Sequence, residues 1–287
     1  MITDTMRADV LLQAMPYFKA FSGKTVVVKY GGAAMINEGV RIAVIEDMIL
    51  MQQVGIRPVL VHGGGPEIDK MLKKLGKERV FIDGLRYTDD ETMEIVQMVL
   101  SGKVNKDLVA LIENAGGKAC GICGGDGGVF KATRLLKGEK ELGLVGEITS
   151  VDGDVVSSLL NAGYIPVVST IGLSDDAEAL YYNINADTAA ARLAACLRAE
   201  KLILLTDVPG ILTDTSDATT LLSKISKEEV ADLIQQGVVS GGMIPKVEAC
   251  VEALRSGVTS THILDGRSPH ALLIELFSDQ GMGTMIV

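Results

Sequence analysis

The fold is decided by Val26-Val27-Val28-Lys29-Tyr30-Gly31-Gly32 and Val59-Leu60-Val61-His62-Gly63-Gly64-Gly65-Pro66, two apolar runs that each end in a glycine-rich turn. A short run of β-branched and aliphatic residues is typical of a strand buried on both faces of a parallel sheet. The glycines that follow let backbone N–H groups approach a ligand closely, and such groups favour anions. Two such turns, one of them with a lysine, therefore predict a phosphate site at the carboxyl ends of the strands.

The apolar pattern alternates between strand and helix along the chain. Strands are predicted at 25–30, 58–62, 165–169, 202–206 and 261–264, and helices at 38–54, 66–76, 89–115, 187–198, 227–236 and 245–256. This alternation predicts an α/β fold, with an open, mainly parallel central sheet sandwiched by helices. A change of pattern near residues 172–176 predicts a boundary between two lobes, residues 1–174 and 175–287.

A further helix is predicted before the first strand, over residues 4–21. Its apolar positions lie on or near one face, and they are Met6, Val10, Leu11, Ala14, Phe18 and Phe21. Pro16 lies inside this pattern and predicts a kink near Met15. The apolar face could cover another subunit or pack on the helix's own domain, and the sequence leaves both open.

The composition of the 287-residue chain limits what it can bind and where it can work. Its formal net charge of −10 argues against a nucleic-acid-binding protein, which usually carries a basic face. Asp4, Arg7 and Asp9 interrupt any apolar segment at the N-terminus, so no secretory leader is predicted. No run approaches the roughly 18 apolar residues of a membrane span. We therefore expect a cytoplasmic protein without nucleic-acid or membrane partners.

Three familiar motifs do not fit. Ser22-Gly23-Lys24-Thr25 resembles the end of a P-loop, but Phe18 stands where that motif needs glycine, and a strand follows where it needs a helix. Neither opening turn has the GxGxxG spacing of dinucleotide-binding folds. Cys120 and Cys123 have CxxC spacing, but no second cysteine or histidine pair accompanies them, so we interpret both as strand residues. We predict no metal site built from protein side chains.

Lysines accompany two of three glycine turns. Lys29 precedes the first turn, and Lys246 ends the third, Ser240-Gly241-Gly242-Met243-Ile244-Pro245-Lys246. A cation beside backbone N–H groups can stabilise a transferring phosphoryl group, although a strand-end lysine can also be merely solvated. The second turn precedes a predicted helix, whose N-terminus favours anions. The three turns together predict an anion site more specifically than any one of them.

Three further segments carry residues suited to binding. Arg86, in Gly84-Leu85-Arg86-Tyr87-Thr88, could clamp a carboxylate or be an exposed loop arginine. Asn183-Ile184-Asn185-Ala186-Asp187 alternates polar residues, which can then face one side. Asp187 could hold two lysines or cap the helix that follows it. Thr206-Asp207-Val208-Pro209-Gly210-Ile211 follows a predicted strand and is typical of a nucleotide-pocket loop.

These motifs together resemble the acetylglutamate kinases, a family of the amino acid kinase superfamily, essentially from end to end. The segments that carry the resemblance are Val28-Lys29-Tyr30-Gly31-Gly32, His62-Gly63-Gly64-Gly65-Pro66, Gly84-Leu85-Arg86-Tyr87-Thr88, Asn183-Ile184-Asn185-Ala186-Asp187, Thr206-Asp207-Val208-Pro209-Gly210 and Gly241-Gly242-Met243-Ile244-Pro245-Lys246. The two opening turns are shared across the superfamily, whereas the segments of Arg86 and Asn183 are more particular to this family. The resemblance implies phosphorylation of the side-chain carboxylate of N-acetyl-L-glutamate by ATP with Mg²⁺, the second step of arginine biosynthesis.

The resemblance also implies roles for the matched residues. Lys29 and Lys246 would neutralise the transferring phosphoryl group, and Asp187 would orient both lysines. The N-terminal lobe would hold the acceptor through Gly64, Gly65, Arg86 and Asn183, with Arg86 on its α-carboxylate. The C-terminal lobe would bind ATP, and the residues implied at ATP or its phosphates are Gly31, Gly32, Asp207, Gly210, Gly241 and Gly242. Mg²⁺ would be held mainly by ATP oxygens.

The N-terminal helix and residues 261–284 are similar to the arginine-inhibited, hexameric branch of the family. In that branch a kinked helix interlaces dimers, and arginine binds beside it. The similarity implies an L-arginine effector bound with help from Tyr17, His262, Glu275 and Gly283, and a homo-oligomer, either a dimer or a hexamer through the helix. A nitrogen-signalling PII protein is a further partner that the resemblance leaves open.

Two alternatives to this function stay open. The chain could be another amino acid kinase, such as a glutamate 5-kinase, an aspartokinase or a carbamate kinase. It could also be a non-catalytic arginine sensor or scaffold, although the joint presence of Lys29, Asp187 and Lys246 argues against that.

Overall fold

The structure, a computed structural model, describes residues 3–35, 37–138, 140–176 and 178–287. Its strands are β1 (Thr25–Tyr30), β2 (Arg57–His62), β3 (Phe81–Ile82), β4 (Leu85–Arg86), β5 (Ala119–Cys123), β6 (Phe130–Arg134), β7 (Val145–Val151), β8 (Ile165–Ser169), β9 (Ile171–Ser174), β10 (Tyr181–Ile184), β11 (Lys201–Thr206), β12 (Lys224–Ile225), β13 (Ser260–Asp265) and β14 (Thr284–Ile286). Its helices are α1 (Asp4–Phe21), α2 (Glu38–Gln53), α3 (Gly65–Lys74), α4 (Asp90–Gln97), α5 (Asn105–Asn114), α6 (Asp154–Asn161), α7 (Ala186–Cys196), α8 (Glu229–Gln235), α9 (Ile244–Arg255) and α10 (Ala271–Phe277).

Eight strands form one central sheet in the order β12-β14-β13-β11-β1-β2-β8-β5. The pairs from β13 to β5 are parallel, and β14 runs antiparallel to β13. The valines of β1 are fully buried at the centre of this sheet, as a strand covered on both faces requires. Helices that connect the parallel strands pack on the sheet, so the predicted α/β fold with a mainly parallel central sheet is confirmed.

A small closed barrel of strands in the order β10-β7-β6-β9 lies beside the central sheet, and β3 pairs with β4 in a short hairpin. In the barrel, β10 pairs with both β9 and β7, so strands from the two sides of the predicted boundary at residue 174 are hydrogen-bonded to each other. The division into lobes 1–174 and 175–287 stays a prediction.

The predicted strands agree with the observed ones to within one residue at each end, and the predicted helices agree to within two, with one exception. The segment predicted as a single helix over 89–115 contains a π-helical stretch, Met98–Val104, between α4 and α5. Its predicted start is correct, because the Asp89 side chain caps α4 by accepting a hydrogen bond from the Thr92 N–H. The helices α6 and α10 and the strand β14 were not predicted from the sequence.

The N-terminal helix α1 spans the predicted residues and continues through Pro16, so the predicted kink stays a prediction. Near its C-terminal end it packs on α10, where the rings of Phe18 and Phe277 meet edge to face at 5.0 Å. Further toward the N-terminus its apolar side chains are more than half exposed, and these are Met6, Val10, Leu11, Leu12 and Met15. Within the described ranges, no helix is long and apolar enough to cross a membrane.

Candidate active site

The glycine-rich turns meet at one edge of the central sheet. Tyr30 at the end of β1 is in register with His62 at the end of β2, so the turns at 31–32 and 63–65 leave the sheet side by side. On the other side of β1, Lys29 is in register with Leu204 of β11, which brings the 206–211 loop to the same edge. This convergence follows from the parallel sheet, because the carboxyl ends of parallel strands share an edge.

Three charged side chains form a cluster at this edge. The Asp187 carboxylate lies between two lysines, with Oδ1 at 2.9 Å from Lys29 Nζ and Oδ2 at 2.8 Å from Lys246 Nζ. The Asp187 side chain is 8% exposed and the Lys29 side chain 10% exposed, whereas Lys246 is 21% exposed. The cluster carries a net positive charge, and the lysines come from two elements, β1 and α9, that only tertiary folding brings together.

Asn185, rather than Asp187, caps the N-terminus of α7. Its amide oxygen accepts hydrogen bonds from the N–H groups of Asp187 and Thr188, at 2.9 and 3.1 Å. The alternative interpretation of Asp187 as a helix cap is therefore wrong. The polar alternation also ends at Asn185, because the chain turns into α7 at Ala186, and the Asp187 carboxylate is free to engage the lysines.

The ion pairs keep Asp187 ionised although it is buried. Burial alone would raise the pKa of this carboxyl group, but Lys29 and Lys246 outweigh burial and lower the pKa to about 2. Both carboxylate oxygens are engaged at neutral pH, and the excess charge of the two lysines is left for an anion.

A first cavity, called cavity A here, has a volume of about 180 Å³. Its wall includes Gly63, Gly64, Gly65, Arg86, Asn183, Asn185 and Ala186. A Cβ placed on Gly64 would lie 2.6 Å from Leu100 Cδ2, so a larger residue here would have to displace the Leu100 side chain behind the turn. Four of the residues expected at the acceptor, Gly64, Gly65, Arg86 and Asn183, are thus brought to one cavity.

The Arg86 guanidinium is buried and only partly paired. One terminal nitrogen, Nη2, donates to Asp69 Oδ1 at 2.6 Å and reaches the Gly65 carbonyl oxygen at 3.4 Å. The other, Nη1, is buried without a partner among the described residues. The guanidinium also lies 4.8 Å from the centroid of the Phe81 ring. Arg86 is therefore no exposed loop arginine: it lines cavity A and carries a buried donor without a partner in the described part of the chain, which is uncommon in folded proteins.

Thr88 connects Arg86 to Asn183. Its buried hydroxyl donates to the Arg86 carbonyl oxygen at 2.9 Å and accepts from Asn183 Nδ2 at 3.2 Å. The Asn183 N–H donates to the Leu144 carbonyl oxygen, and the Leu144 N–H donates to that of Thr88. These bonds fix the spacing between the arginine on β4 and the asparagine on β10.

A second cavity, called cavity B here, has a volume of about 470 Å³. Its wall includes Asp207, Pro209, Gly210, Gly242, Met243, Lys246 and Arg267. Gly241, which adjoins this wall, has a φ of +54°, a left-handed conformation that favours glycine. Lys246 belongs both to the wall of cavity B and to the charged cluster, so the cluster borders cavity B. On the other side, Ala186 lines cavity A and directly precedes Asp187 of the cluster in the chain.

A third cavity, called cavity C here, has a volume of about 870 Å³ and lies between α1 and the C-terminal segment. Tyr17, Glu275 and Gly283 line it, and the Tyr17 hydroxyl donates to Asp279. Behind Glu275 the buried His262 has its Nδ1 2.7 Å from Glu275 Oε1 and its Nε2 2.9 Å from Lys201 Nζ. Burial lowers the pKa of His262, so its imidazole is neutral at pH 7.

The two CxxC cysteines lie in the strand at one edge of the central sheet. Cys120 and Cys123 are both in β5, as predicted, and both are free thiols. In the described part of the chain, no group of three or more His, Cys, Asp or Glu side chains could hold a metal ion.

Three residues of the site were not predicted from the sequence. Asp69 anchors Arg86 from α3, Phe81 lies under its guanidinium, and Arg267 lines cavity B. Asp69 lies on α3, after the turn at 63–65, and most other charged residues of α3 are at the surface. No local sequence pattern distinguishes Asp69 from those surface residues. Arg267 follows the predicted strand at 261–264, and its place just beyond a strand end was the one signal that could have identified it.

Two comparisons concern the sequence of the chain. Residues 24–265 match the model of the amino acid kinase family. An acetylglutamate kinase from Clostridium kluyveri is 56% identical over 279 residues, which cover 97% of this chain and 98% of that protein.

Solved structures with the same fold include two of an N-acetylglutamate synthase from Neisseria gonorrhoeae. One, in complex with coenzyme A and N-acetyl-glutamate, is similar with a TM-score of 0.85 and 27% identity, over 98% of this chain and 63% of that one. The other, in complex with coenzyme A and L-arginine, has a TM-score of 0.80 and 26% identity, over 98% and 65%. This chain thus spans a little under two thirds of the length of the synthase.

Proposed function

Because the chain belongs to the amino acid kinase family and, within it, to the acetylglutamate kinases, we propose that it transfers the γ-phosphoryl group of ATP to the side-chain carboxylate of N-acetyl-L-glutamate. The observation that carries this proposal is the cluster of Lys29, Asp187 and Lys246 between two cavities. A phosphoryl donor in cavity B and a carboxylate acceptor in cavity A would meet at that cluster. This reaction would serve arginine biosynthesis.

The chemistry needs positive charge more than it needs a base. The acceptor carboxylate is already ionised at neutral pH, so no residue has to remove a proton from it. The barrier arises because an anion must attack a phosphoryl group that carries negative charge, and positioning and electrostatic stabilisation supply most of the catalysis. Lys29 and Lys246 neutralise the transferring group, while Asp187 holds the two ammonium groups in place. The N–H groups of Gly32 and Gly64 add donors to the phosphate oxygens.

The acceptor is proposed to lie in cavity A. Arg86 binds its α-carboxylate, and the buried, unpaired Nη1 of Arg86 supports this assignment. Asn183 and the turn at 63–65 hold the rest of the molecule. Thr88 is a positioning residue here, because its hydroxyl joins Arg86 to Asn183.

ATP is proposed to lie in cavity B, with its phosphates toward Lys246 and the turns at 31–32 and 241–242. The wall of cavity B consists wholly of residues from 207 to 267, which supports the proposed assignment of ATP to the lobe 175–287. Arg267 adds a cation to this wall. Mg²⁺ is proposed to be held mainly by ATP oxygens, since both oxygens of Asp187 are engaged by lysines and Mg²⁺ commonly binds substrate phosphates.

The reaction is tested by ADP release from MgATP with four acceptors: N-acetyl-L-glutamate, glutamate, aspartate and carbamate. We expect turnover with acetylglutamate to exceed turnover with each of the others at equal concentration. A preference for glutamate, aspartate or carbamate would assign the chain to another amino acid kinase activity. No turnover with any of them would favour the sensor or scaffold alternative.

Replacing Arg86 by glutamine is expected to raise the KM for acetylglutamate at least about tenfold, because a charged hydrogen bond to a carboxylate is lost. The kcat should change less, since Arg86 lies away from the transferring group. Arg79→Gln is the matched control, because Arg79 pairs with the other oxygen of the same Asp69 and is largely exposed. We expect a raised KM for acetylglutamate in Arg86→Gln and an unchanged KM in Arg79→Gln. Equal KM values for Arg86→Gln and the unaltered enzyme would contradict the assignment of Arg86 to the α-carboxylate.

Feedback by L-arginine at cavity C is a further part of the proposal. Glu275 and Asp279 line this cavity and would attract a guanidinium or an ammonium group, and the orientation of Glu275 is held by His262. The related synthase has been solved with L-arginine. We also propose that the exposed apolar face of α1 joins subunits into a dimer or hexamer, which would place cavity C near that contact.

Arginine at millimolar concentration is expected to lower the activity and to raise the Tm, because a ligand of the folded state stabilises it. Tyr17→Phe removes the hydroxyl on the α1 side of cavity C and should weaken both effects while leaving the arginine-free activity intact. The measurements are an inhibition curve and a thermal melt. An activity and a Tm that do not respond to arginine would refute the proposed feedback.

A further inference from the structure

The turn at 63–65 is backed by the π-helical stretch Met98–Val104. Two residues of this stretch press on the turn: a Cβ on Gly64 would lie 2.6 Å from Leu100 Cδ2 and 3.3 Å from Val104 Cγ2. A π-helical turn inserts an extra residue into a helix and is frequently found at functional sites. The insertion ends at Asn105, the first residue of α5, whose side chain is turned into the protein and buried.

The amide of Asn105 has a defined orientation. Its oxygen accepts a hydrogen bond from Lys106 Nζ at 2.9 Å, and its nitrogen Nδ2 lies 2.9 Å from the Val167 carbonyl oxygen and 3.2 Å from that of Ile122. The same nitrogen lies 3.1 Å from His62 Nε2. An amide nitrogen has no free lone pair and cannot accept, so Nδ2 is the donor in each contact, and its two N–H hydrogens are shared among the three acceptors. His62 Nε2 therefore accepts a hydrogen bond from Asn105.

This contact determines the tautomer of His62. With Nε2 as acceptor, the imidazole proton is on Nδ1, which lies 2.9 Å from the Gly63 carbonyl oxygen and donates to it. Complete burial, helped by the nearby charge of Lys106, outweighs the hydrogen bond to Gly63 and lowers the pKa of His62 to about 4, so the ring is neutral at pH 7. The neutral ring with its proton on Nδ1 donates to the Gly63 carbonyl oxygen and accepts from Asn105 Nδ2. In the doubly protonated ring the Nε2–H would point at the N–H of Asn105, and two donors would face each other.

The hydrogen bond to Gly63 orients the peptide group that joins Gly63 to Gly64. A trans peptide is planar, so its C=O and N–H point in opposite directions. When His62 holds the Gly63 carbonyl oxygen, the Gly64 N–H is directed to the opposite side. The Gly63 N–H is held as well, by the Tyr30 carbonyl oxygen of β1 at 3.2 Å. Both peptide groups that flank Gly63 are thereby fixed to the sheet.

We propose that Asn105 is a positioning residue for phosphoryl transfer: through His62 it fixes the peptide between Gly63 and Gly64 and aims the Gly64 N–H at the transferring phosphate. This inference rests on the proposed function, in which that N–H is a phosphate donor. Asn105 itself touches no reacting atom. Its contribution is the alignment of a donor, and a misalignment of about 1 Å can cost on the order of 10²-fold in rate.

The first test measures the protonation of His62 in the unaltered protein and uses a variant only to assign its signal. The chain has three histidines, so ¹⁵N-labelled histidine gives three pairs of ring signals in an NMR spectrum. The signal lost in His62→Gln identifies His62. We expect it to report a neutral ring with the proton on Nδ1 from pH 8 down to pH 5. A ring protonated on Nε2, or charged at pH 7, would overturn the proposal whether or not the chain is an acetylglutamate kinase.

The second test measures kinetics with Asn105→Ala. We expect a kcat at least about tenfold lower, with KM values for ATP and acetylglutamate that change much less, because the lost alignment affects the transition state most. The low-pH limb of the pH profile of kcat should also shift to higher pH. Without the hydrogen bond from Asn105, His62 Nε2 can take a second proton more easily. Asn114→Ala, at the exposed end of the same helix, is the matched control and should keep the full kcat.

The double variant Asn105→Ala with His62→Gln decides whether the two residues act together. If Asn105 acts through His62, the double variant is expected to lose no more kcat than His62→Gln alone. Additive losses, or a folded Asn105→Ala enzyme with undiminished kcat, would refute the inference. An unaltered enzyme without activity on acetylglutamate would instead refute the proposed function and leave the NMR result standing.

Discussion

Lys246→Met is expected to lower kcat by about 10²-fold or more while changing the KM for acetylglutamate little. Methionine keeps the length of the side chain and removes its charge. The Lys246 side chain is 21% exposed at the wall of cavity B, and its Nζ lies 2.8 Å from Asp187 Oδ2, so the cluster would lose the cation that faces the proposed ATP side. Lys29 would then be the one remaining lysine of the cluster that can balance the negative charge of the transferring phosphoryl group. The carboxylate of Asp187 already neutralises part of its positive charge.

Steady-state ADP release with MgATP and acetylglutamate measures this effect. Lys74→Met, a similar change at the exposed end of α3, is the matched control and should retain full turnover. The loss in Lys246→Met should appear in kcat and kcat/KM together, as expected for an interaction made in the transition state. An enzyme with Lys246→Met and undiminished turnover would rule out the proposed two-lysine mechanism.

The fold could be predicted largely from local sequence because its strands are short, apolar and bounded by glycines. In β1 and β2 nearly every residue is buried, and this burial produces the continuous apolar runs that the sequence displays. The π-helical stretch was not predicted, since Ser101 and Gly102 weaken the helical pattern of Met98–Val104 without specifying a π-helical turn. Leu100 and Val104 of this stretch pack against Gly64, a contact that only the fold shows. The helix α10 is short, and its apolar run alone does not distinguish helix from strand.

The candidate site could be predicted only in part. Lys29 and the glycine turns follow directly from strand ends, because parallel strands bring their carboxyl ends together. The pairing of Asp187 with Lys29 and Lys246 joins three distant segments. The residues alone left open whether Asp187 holds two lysines or caps a helix, and the resemblance to a known family favoured the pairing. Asp69 and Asn105 carried no signal at all, since a helical aspartate and a helical asparagine are usually solvated and only the fold shows what they contact.

Asp187→Asn is expected to destabilise the protein by about 3–5 kcal/mol near pH 7, because removing one partner of a buried ion pair leaves the other charge uncompensated. Here two lysines lose their partner, and Lys29 is 10% exposed. Denaturant unfolding of both proteins measures the difference in free energy of unfolding. Asp107→Asn is the matched control, because its ion pair with Lys103 is on the surface and should contribute about 1 kcal/mol or less.

The dependence of this difference on pH identifies its cause. The pKa of Asp187 is lowered to about 2 in the folded protein from its ordinary value of 3.8, so the folded state favours the ionised form. A lowered folded-state pKa stabilises the protein fully above pH 3.8, and that contribution is lost as the pH falls toward 2. The difference in unfolding free energy between the unaltered protein and Asp187→Asn should therefore be constant from pH 5 to 7 and narrow below pH 4. A difference that stays the same at pH 3 would mean that asparagine disturbs packing, whereas equal stabilities at pH 7 would mean that the buried ion pairs contribute nothing to the fold.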